Sequence, residues 1–250
     1  DSQGDKLFDA MVVQVQNLSI PKGWQVDTLI IDEGQDMLQT WADIVLRLAK
    51  PDSRVLWIED LNQQLYSHDK VLLKDFVRLD VPVNYRSPQK IQQCIEMLLE
   101  LGTESGNPFP GLDPEFHTYE NTQELFSQVR TRLDTLIGQG FRKENIAIIS
   151  FRGMKTSAFS NMDRIGSYDL NRFTGEYDNE GHQVIQDGDI HFDTIYRYKG
   201  QQKQVILFVE IDFEALDELN RNKIYCGMTR ATTHLECFFS IRAAEILSKR

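Results

Sequence analysis

The sequence predicts an α/β protein built as two successive units, and three observations carry that expectation. Short apolar runs of strand length alternate with stretches whose apolar residues recur at helical spacing. The alternation occurs twice, once before and once after a boundary expected near Leu79. A turn-rich segment at 175–190, with Asn179-Glu180-Gly181 and Asp187-Gly188 between alternating residues, adds a β-hairpin to the second unit.

In chain order, Leu7, Ala10, Met11, Val13 and Val15 mark a first helix ending near Asn17, and Pro21, Lys22 and Gly23 then punctuate the chain. Val26, Leu29, Ile30 and Ile31 form a nearly continuous apolar run closed by Asp32, Glu33 and Gly34, as in a buried parallel strand. Leu38, Trp41, Ile44, Val45 and Leu48 place one apolar face on a helix over 38–50, ended by Pro51, and residues 54–59 give a second strand. Strand, helix, strand in that order implies a right-handed parallel crossover. Residues 76–83 read as a strand interrupted by Pro82, and Ser87-Pro88 opens a helix reaching about Leu101. A polar loop over 102–114 follows, then strand (115–119), helix (122–137) and strand (145–151). After the hairpin come the most apolar strand (205–209), a helix (216–228) and a last strand (235–240).

The composition, 41% hydrophobic and 26% charged over 250 residues, suits one large or two ordinary globular domains. No apolar run approaches the ~18 residues of a membrane span and the N-terminus lacks a basic-then-apolar signal, so no membrane partner and a cytoplasmic location are expected. Cys94, Cys226 and Cys237 are an odd, widely spaced set without a CxxC, so neither a disulfide framework nor a zinc cluster is indicated and buried free thiols are expected. The five histidines contain no i,i+4 metal pair. A net charge of −11 opposes a protein coated in nucleic acid, whose affinity comes largely from Lys and Arg, and permits only a local basic groove.

Five motifs follow one another in fixed order: VDTLIIDEGQD at 26–36, WIEDLNQQLY at 57–66, NYRS at 84–87, DTIYRYKGQQ at 193–202 and YCGMTRA at 225–231. Together they resemble motifs II to VI of the UvrD/Rep-like superfamily 1 DNA helicases, in a compact branch without the large inserted subdomain. The resemblance implies part of a first RecA-like domain over 1–79 and a second RecA-like, UvrD-like C-terminal domain over 80–250, the latter with a parallel sheet and the hairpin excursion. No glycine here is followed by lysine, so the phosphate-gripping Walker A loop is absent and is expected in a missing N-terminal half.

By that resemblance Asp32 holds Mg²⁺ through water and Glu33 polarises the attacking water of ATP hydrolysis. Gln63 senses the γ-phosphate, Tyr85 stacks on the adenine, Arg86 reaches the γ-phosphate, and Arg230 is an arginine finger. Lys199 and Gln202 belong to the nucleotide-binding motif V, in which Gln202 replaces a ribose-binding Glu; Thr194 and Tyr196 are implied contacts to single-stranded DNA, Tyr196 standing where the family carries His. Glu59 stands where the family usually has Gly. The implied whole is an ATP-dependent helicase or translocase with ATP in a cleft between its domains, and a nuclease domain is a further implied neighbour. The departures at Glu59, Tyr196 and Gln202 leave open an alternative: a helicase-like interaction module without hydrolysis. A two-metal nuclease using Asp32 and Glu33 is disfavoured, because no second acidic cluster stands at matching spacing.

Overall fold

The computed structural model describes residues 2–66 and 68–249, with side chains from Ala10 onward, so the predicted helical position Leu7 lies outside the described side chains. The chain divides into two compact units, residues 1–79 and 80–250.

In the first unit, helix α1 (Ser2–Asn17) precedes strand β1 (Val26–Ile31), helix α2 (Gln39–Leu46) and strand β2 (Ala49–Trp57). β1 and β2 form a two-stranded parallel sheet with Ile31 opposite Trp57, as the strand–helix–strand order implies. Two expectations need correction. The helix ends at Leu46 rather than near Lys50, and Pro51 lies inside β2 instead of terminating a helix. A register irregularity between Val26 and Thr28 accommodates this stretch, and a two-stranded sheet leaves each strand an edge where a missing N–H costs nothing. Second, the apolar run of β1 is not buried throughout: Ile31 is buried, yet Ile30 is 61% exposed and Leu56 on β2 is 54% exposed. Met11, Val13 and Val15 of α1 are exposed as well.

The second unit opens with β3 (Val83–Asn84), α3 (Gln89–Leu99), β4 (Glu104–Ser105), β5 (Glu115–Tyr119), α4 (Thr122–Gly138) and β6 (Ile146–Ser150). It continues with β7 (Arg164–Ile165), β8 (Tyr168–Tyr177), β9 (Gln183–Gln186), β10 (Ile190–Thr194), β11 (Lys203–Ile211), α5 (Glu218–Met228), β12 (Ala231–Ser240) and α6 (Ile241–Ser248). The main sheet has the order β5-β12-β11-β6-β10-β8-β7, with β9 paired to β8. Neighbours from β5 to β8 are parallel, whereas β7 and β9 run antiparallel to β8. The predicted strand over 76–83 reduces to Val83–Asn84, because Pro82 removes a donor and Val77, Leu79 and Val81 remain exposed without a ladder partner. Helix α6 was not anticipated from the sequence; Ser240 caps it by accepting from the Ala243 N–H at 3.1 Å.

The core explains the sheet order. β6 and the centre of β11 are buried along their whole length, so both faces must be covered. Leu125, Val129, Leu133 and Leu136 recur at helical spacing on α4 and pack with Ile146, Ile148, Val205, Leu207 and Phe238. α5 packs on β11, close enough that a Cβ at Gly227 would meet the Phe208 ring at 2.3 Å. The three cysteines are free and buried, as expected, and burial pushes the Cys94 thiol up to about 11, which makes it a poor nucleophile.

Candidate functional site

In the first unit the carboxylate pair sits at the carboxyl end of β1. Asp32 is exposed and its Oδ1 accepts the Glu33 N–H at 2.9 Å; Glu33 adopts φ 55°, a left-handed backbone unusual for a side-chain-bearing residue. Gly34 donates its N–H to the Ile58 carbonyl, and a Cβ there would lie 2.3 Å from the Trp57 indole, so only glycine lets the turn close on β2. Gln35 joins two motifs that sequence separates by more than twenty residues. Its amide nitrogen donates to Glu33 Oε2, and its oxygen accepts the Asp60 N–H at 3.0 Å. Asp60 in turn caps the 3₁₀ turn Leu61–Gln63, accepting from Asn62 N at 3.0 Å and from the Gln63 amide at 2.7 Å. Glu33, Gln35, Asp60 and Gln63 therefore form one hydrogen-bonded chain. Glu59, at the family's usual glycine, accepts from the Trp57 indole N–H at 3.0 Å. Beside this chain the exposed Asp32 carboxylate is left open, and one or two carboxylates are what Mg²⁺ takes from a protein when water and phosphate oxygens complete its shell.

In the second unit the NYRS turn is shaped by its asparagine. Asn84 Oδ1 accepts the Arg86 and Ser87 N–H groups at 2.8 and 3.0 Å, while its Nδ2 donates to Gln92 Oε1 at 2.7 Å. Tyr85 is 69% exposed, and its ring lies so close to Gly106 that a Cβ there would meet it at 2.5 Å. Arg86 is exposed, and its carbonyl accepts from Asn107.

The motif V residues follow β10. Thr194 is buried, its N–H donating to Asp193 Oδ1 and its carbonyl receiving the Arg197 and Tyr198 N–H groups. Gly200 has φ +83°, the left-handed conformation that frees this turn to return into β11. Tyr196 and Lys199 are half-buried and Gln202 is exposed; the Lys223 ammonium lies 5.4 Å from the Tyr196 ring centroid. Arg230 follows α5 and is completely buried. Its Nε donates to the Cys226 carbonyl at 2.9 Å and its Nη2 to Thr229 Oγ1 at 3.0 Å, so part of the guanidinium caps the helix end. The predicted residues thus fall into two sets: Asp32, Glu33 and Gln63 in the first unit, and Tyr85, Arg86, Thr194, Tyr196, Lys199, Gln202 and Arg230 in the second.

Two further clusters in the second unit had no sequence signal, because β5, α4, β11 and β12 assemble them from distant positions. Glu115, His117 and Glu236 bring ligand atoms within 4.8 Å of one another, a donor set able to chelate a metal. Arg132 competes for both carboxylates, donating to Glu236 at 2.8 and 2.9 Å and to Glu115 at 2.9 Å. Burial alone would raise the Glu236 pKa, but hydrogen bonds from His117, His234 and Arg132 overcome it and hold the carboxyl well below its ordinary range. The second cluster lines a cavity of about 560 Å³ at the carboxyl ends of β5, β6, β11 and β12, where Asp212 pairs with both Arg152 and Arg242. None of the motif residues lines it.

A mostly parallel sheet flanked by helices, with a hairpin entering from one side, defines the class of the second unit as α/β. Residues 189–235, from β10 through the start of β12, match the UvrD-like helicase C-terminal domain family. Among solved structures, the chain is similar to the C-terminal domain of a possible DNA helicase from Lactobacillus plantarum WCFS1, at 16% identity and a TM-score of 0.46, over 66% of this chain and 92% of that one. No curated protein matches the chain. Among the described residues, no helix is long and apolar enough to cross a membrane.

Proposed function

We propose that this chain is the back part of an ATP-driven motor acting on single-stranded DNA: the end of one RecA-like domain followed by a second. The observation that carries this reading is the family match over 189–235, which takes in the DTIYRYKGQQ and TRA segments, combined with the ordered DEGQD, EDLNQQLY and NYRS motifs outside it. The Gln35 bridge supports it independently, because it couples the carboxylate proposed to polarise water to the turn bearing the proposed γ-phosphate sensor.

In this mechanism Glu33 polarises the attacking water. Asp32 would hold Mg²⁺ through water, and the ion when bound would offset phosphate charge. Gln63, tethered to Asp60, reports the γ-phosphate to the Glu33 end of the network, and Tyr85 offers an exposed ring to the base. Arg86 and Arg230 supply positive charge to the transferring phosphoryl group, and the contacts of Arg230 to the Cys226 carbonyl and Thr229 hold its guanidinium at the end of α5. Tyr196 contacts the DNA strand and the buried Thr194, implied as a second contact, holds the turn that carries it, while Lys199 and Gln202 contribute to nucleotide binding.

The remaining parts of the motor lie outside this chain. Ile30 and Leu56, register partners on one face of the β1–β2 sheet, are exposed, which supports a first domain with a further layer over that face, since the faces of parallel sheets are normally covered. A Walker A half would complete it. The test joins that upstream sequence to this chain and measures DNA-stimulated ATP hydrolysis. The reading requires turnover that Glu33→Gln abolishes; an inert protein carrying an intact GxxxxGK[ST] loop would leave the non-hydrolysing module.

A further inference from the structure

We propose that the β8–β9 hairpin is a docking edge for a basic, extended protein segment. Between residues 176 and 189 the chain carries Glu176, Asp178, Glu180, Asp187 and Asp189 and neither Lys nor Arg, and all five acids are exposed. Lys143 binds Asp189 at 2.8 Å, and His182 is the partner of Asp178 at 3.2 Å and Glu180 at 3.6 Å. The arm keeps a strongly negative balance. Nucleic acid is repelled by such a surface, because its binding depends on cations that displace counterions. A cationic protein segment is attracted to it.

The arm also offers a backbone template. Among the described residues β9 pairs with β8 alone, so one of its edges has no strand partner. Natural edges are commonly blunted by lysine or proline, and residues 183–186 contain neither. Tyr177 and Ile185 add apolar area to the charged arm, at 60% and 47% exposure. Strand addition uses these three features together: main-chain hydrogen bonds for affinity, alternate apolar contacts for register, and charge for selectivity.

The base of the arm is braced. The Arg197 guanidinium lies 4.3 Å from the Phe173 ring centroid, its Nε donates to Asp193 at 2.9 Å, and its Nη2 donates to Gln183 Oε1 at 2.7 Å. Thr174 Oγ1 donates across the hairpin to the Val184 carbonyl at 2.9 Å, and Asp178 Oδ1 accepts the Glu180 and His182 N–H groups at the tip. A preformed edge of this kind binds without first being ordered. The same Arg197 lies within the DTIYRYKGQQ segment, so an occupant of the hairpin is one side chain away from it.

The test uses the 250-residue chain and a fluorescein-labelled (Lys-Val)₄ peptide, with (Glu-Val)₄ and a single-stranded oligonucleotide as controls. Anisotropy reports binding, and hydrogen exchange reports protection at residues 183–186. Binding of the Lys-Val peptide is expected, with gained protection in β9, no response to Glu-Val, and weakening of about tenfold or more when Glu176, Glu180 and Asp187 are changed together to Lys. These three side chains are exposed, and circular dichroism checks that the variant is folded. No Lys-Val binding, binding unaffected by the triple change, binding without β9 protection, or β9 protection by the oligonucleotide instead would each overturn the proposal.

Discussion

Arg132→Ala tests how the second unit holds its outer strands. Arg132 projects from α4 and makes a two-pronged contact with Glu236 on β12, at 2.8 and 2.9 Å, and a third contact with Glu115 on β5. Glu236 is fully buried, so its carboxylate has no water to turn to once the guanidinium is gone. Removing one partner of a buried ion pair typically costs 3–5 kcal/mol, and the remaining contacts from His117 and His234, at 3.1 and 3.2 Å, place the expected loss at the low end, about 3 kcal/mol. For a unit of this size that is a fall of roughly 6–12 °C in melting temperature. Arg132→Lys keeps the charge and loses the fork, so an intermediate loss is expected.

The pH dependence carries a definite sign. The folded pKa of Glu236 lies below its ordinary value of 4.5, so its stabilisation is complete above that value and disappears as pH falls through the lower folded pKa. In Arg132→Ala the folded pKa rises, burial being offset only by the His117 and His234 contacts, and the acid loss begins at higher pH. Urea unfolding followed by circular dichroism between pH 3 and 7 measures both effects. An Arg132→Ala protein within about 0.5 kcal/mol of the parent at pH 7, the usual range for surface substitutions, would refute the reasoning.

Three further substitutions probe local geometry. Gly34→Ala should displace the Trp57 indole and cost about 1–3 kcal/mol, seen as a shift in tryptophan emission and a lower urea midpoint. Gln35→Ala should cost about 1–2 kcal/mol by releasing Glu33 and the Asp60 N–H together, and in the joined motor it should lower kcat more than it raises KM. Gly200→Ala forces a side chain into φ +83° and should cost about 1–2 kcal/mol by thermal melting, with circular dichroism unchanged below the transition.

The alternation of elements was legible because β6, β11 and α4 are buried in the pattern their apolar residues announce. Residues 76–82 misled for the opposite reason: Val77, Leu79 and Val81 alternate like a strand, but a strand requires a partner, and alternation alone does not supply one. The end of α2 was misplaced because Pro51 was read as a helix stop, whereas the sheet edge tolerates it in β2. The motif residues were named through the family resemblance; the turns that Asn84 and Asp60 shape, through neighbours two or three positions away, emerge only in the structure. The Arg132–Glu236–Glu115 cluster could not, because its members come from α4, β12 and β5 and meet only after the sheet order is set. Gln35 stands between the two cases: its place in DEGQD was visible, and its tie to Asp60 required β1 and β2 to pair.

The most direct measurement of the central claim is steady-state ATP hydrolysis, with and without single-stranded DNA, by this chain alone and by the protein extended upstream through a Walker A loop. No turnover is expected from the chain alone, and from the extended protein DNA-stimulated turnover that falls by about 10³-fold or more in Arg230→Ala and is abolished in Glu33→Gln. Turnover by the isolated chain that Glu33→Gln abolishes, or an extended protein with an intact loop that hydrolyses nothing, would contradict it.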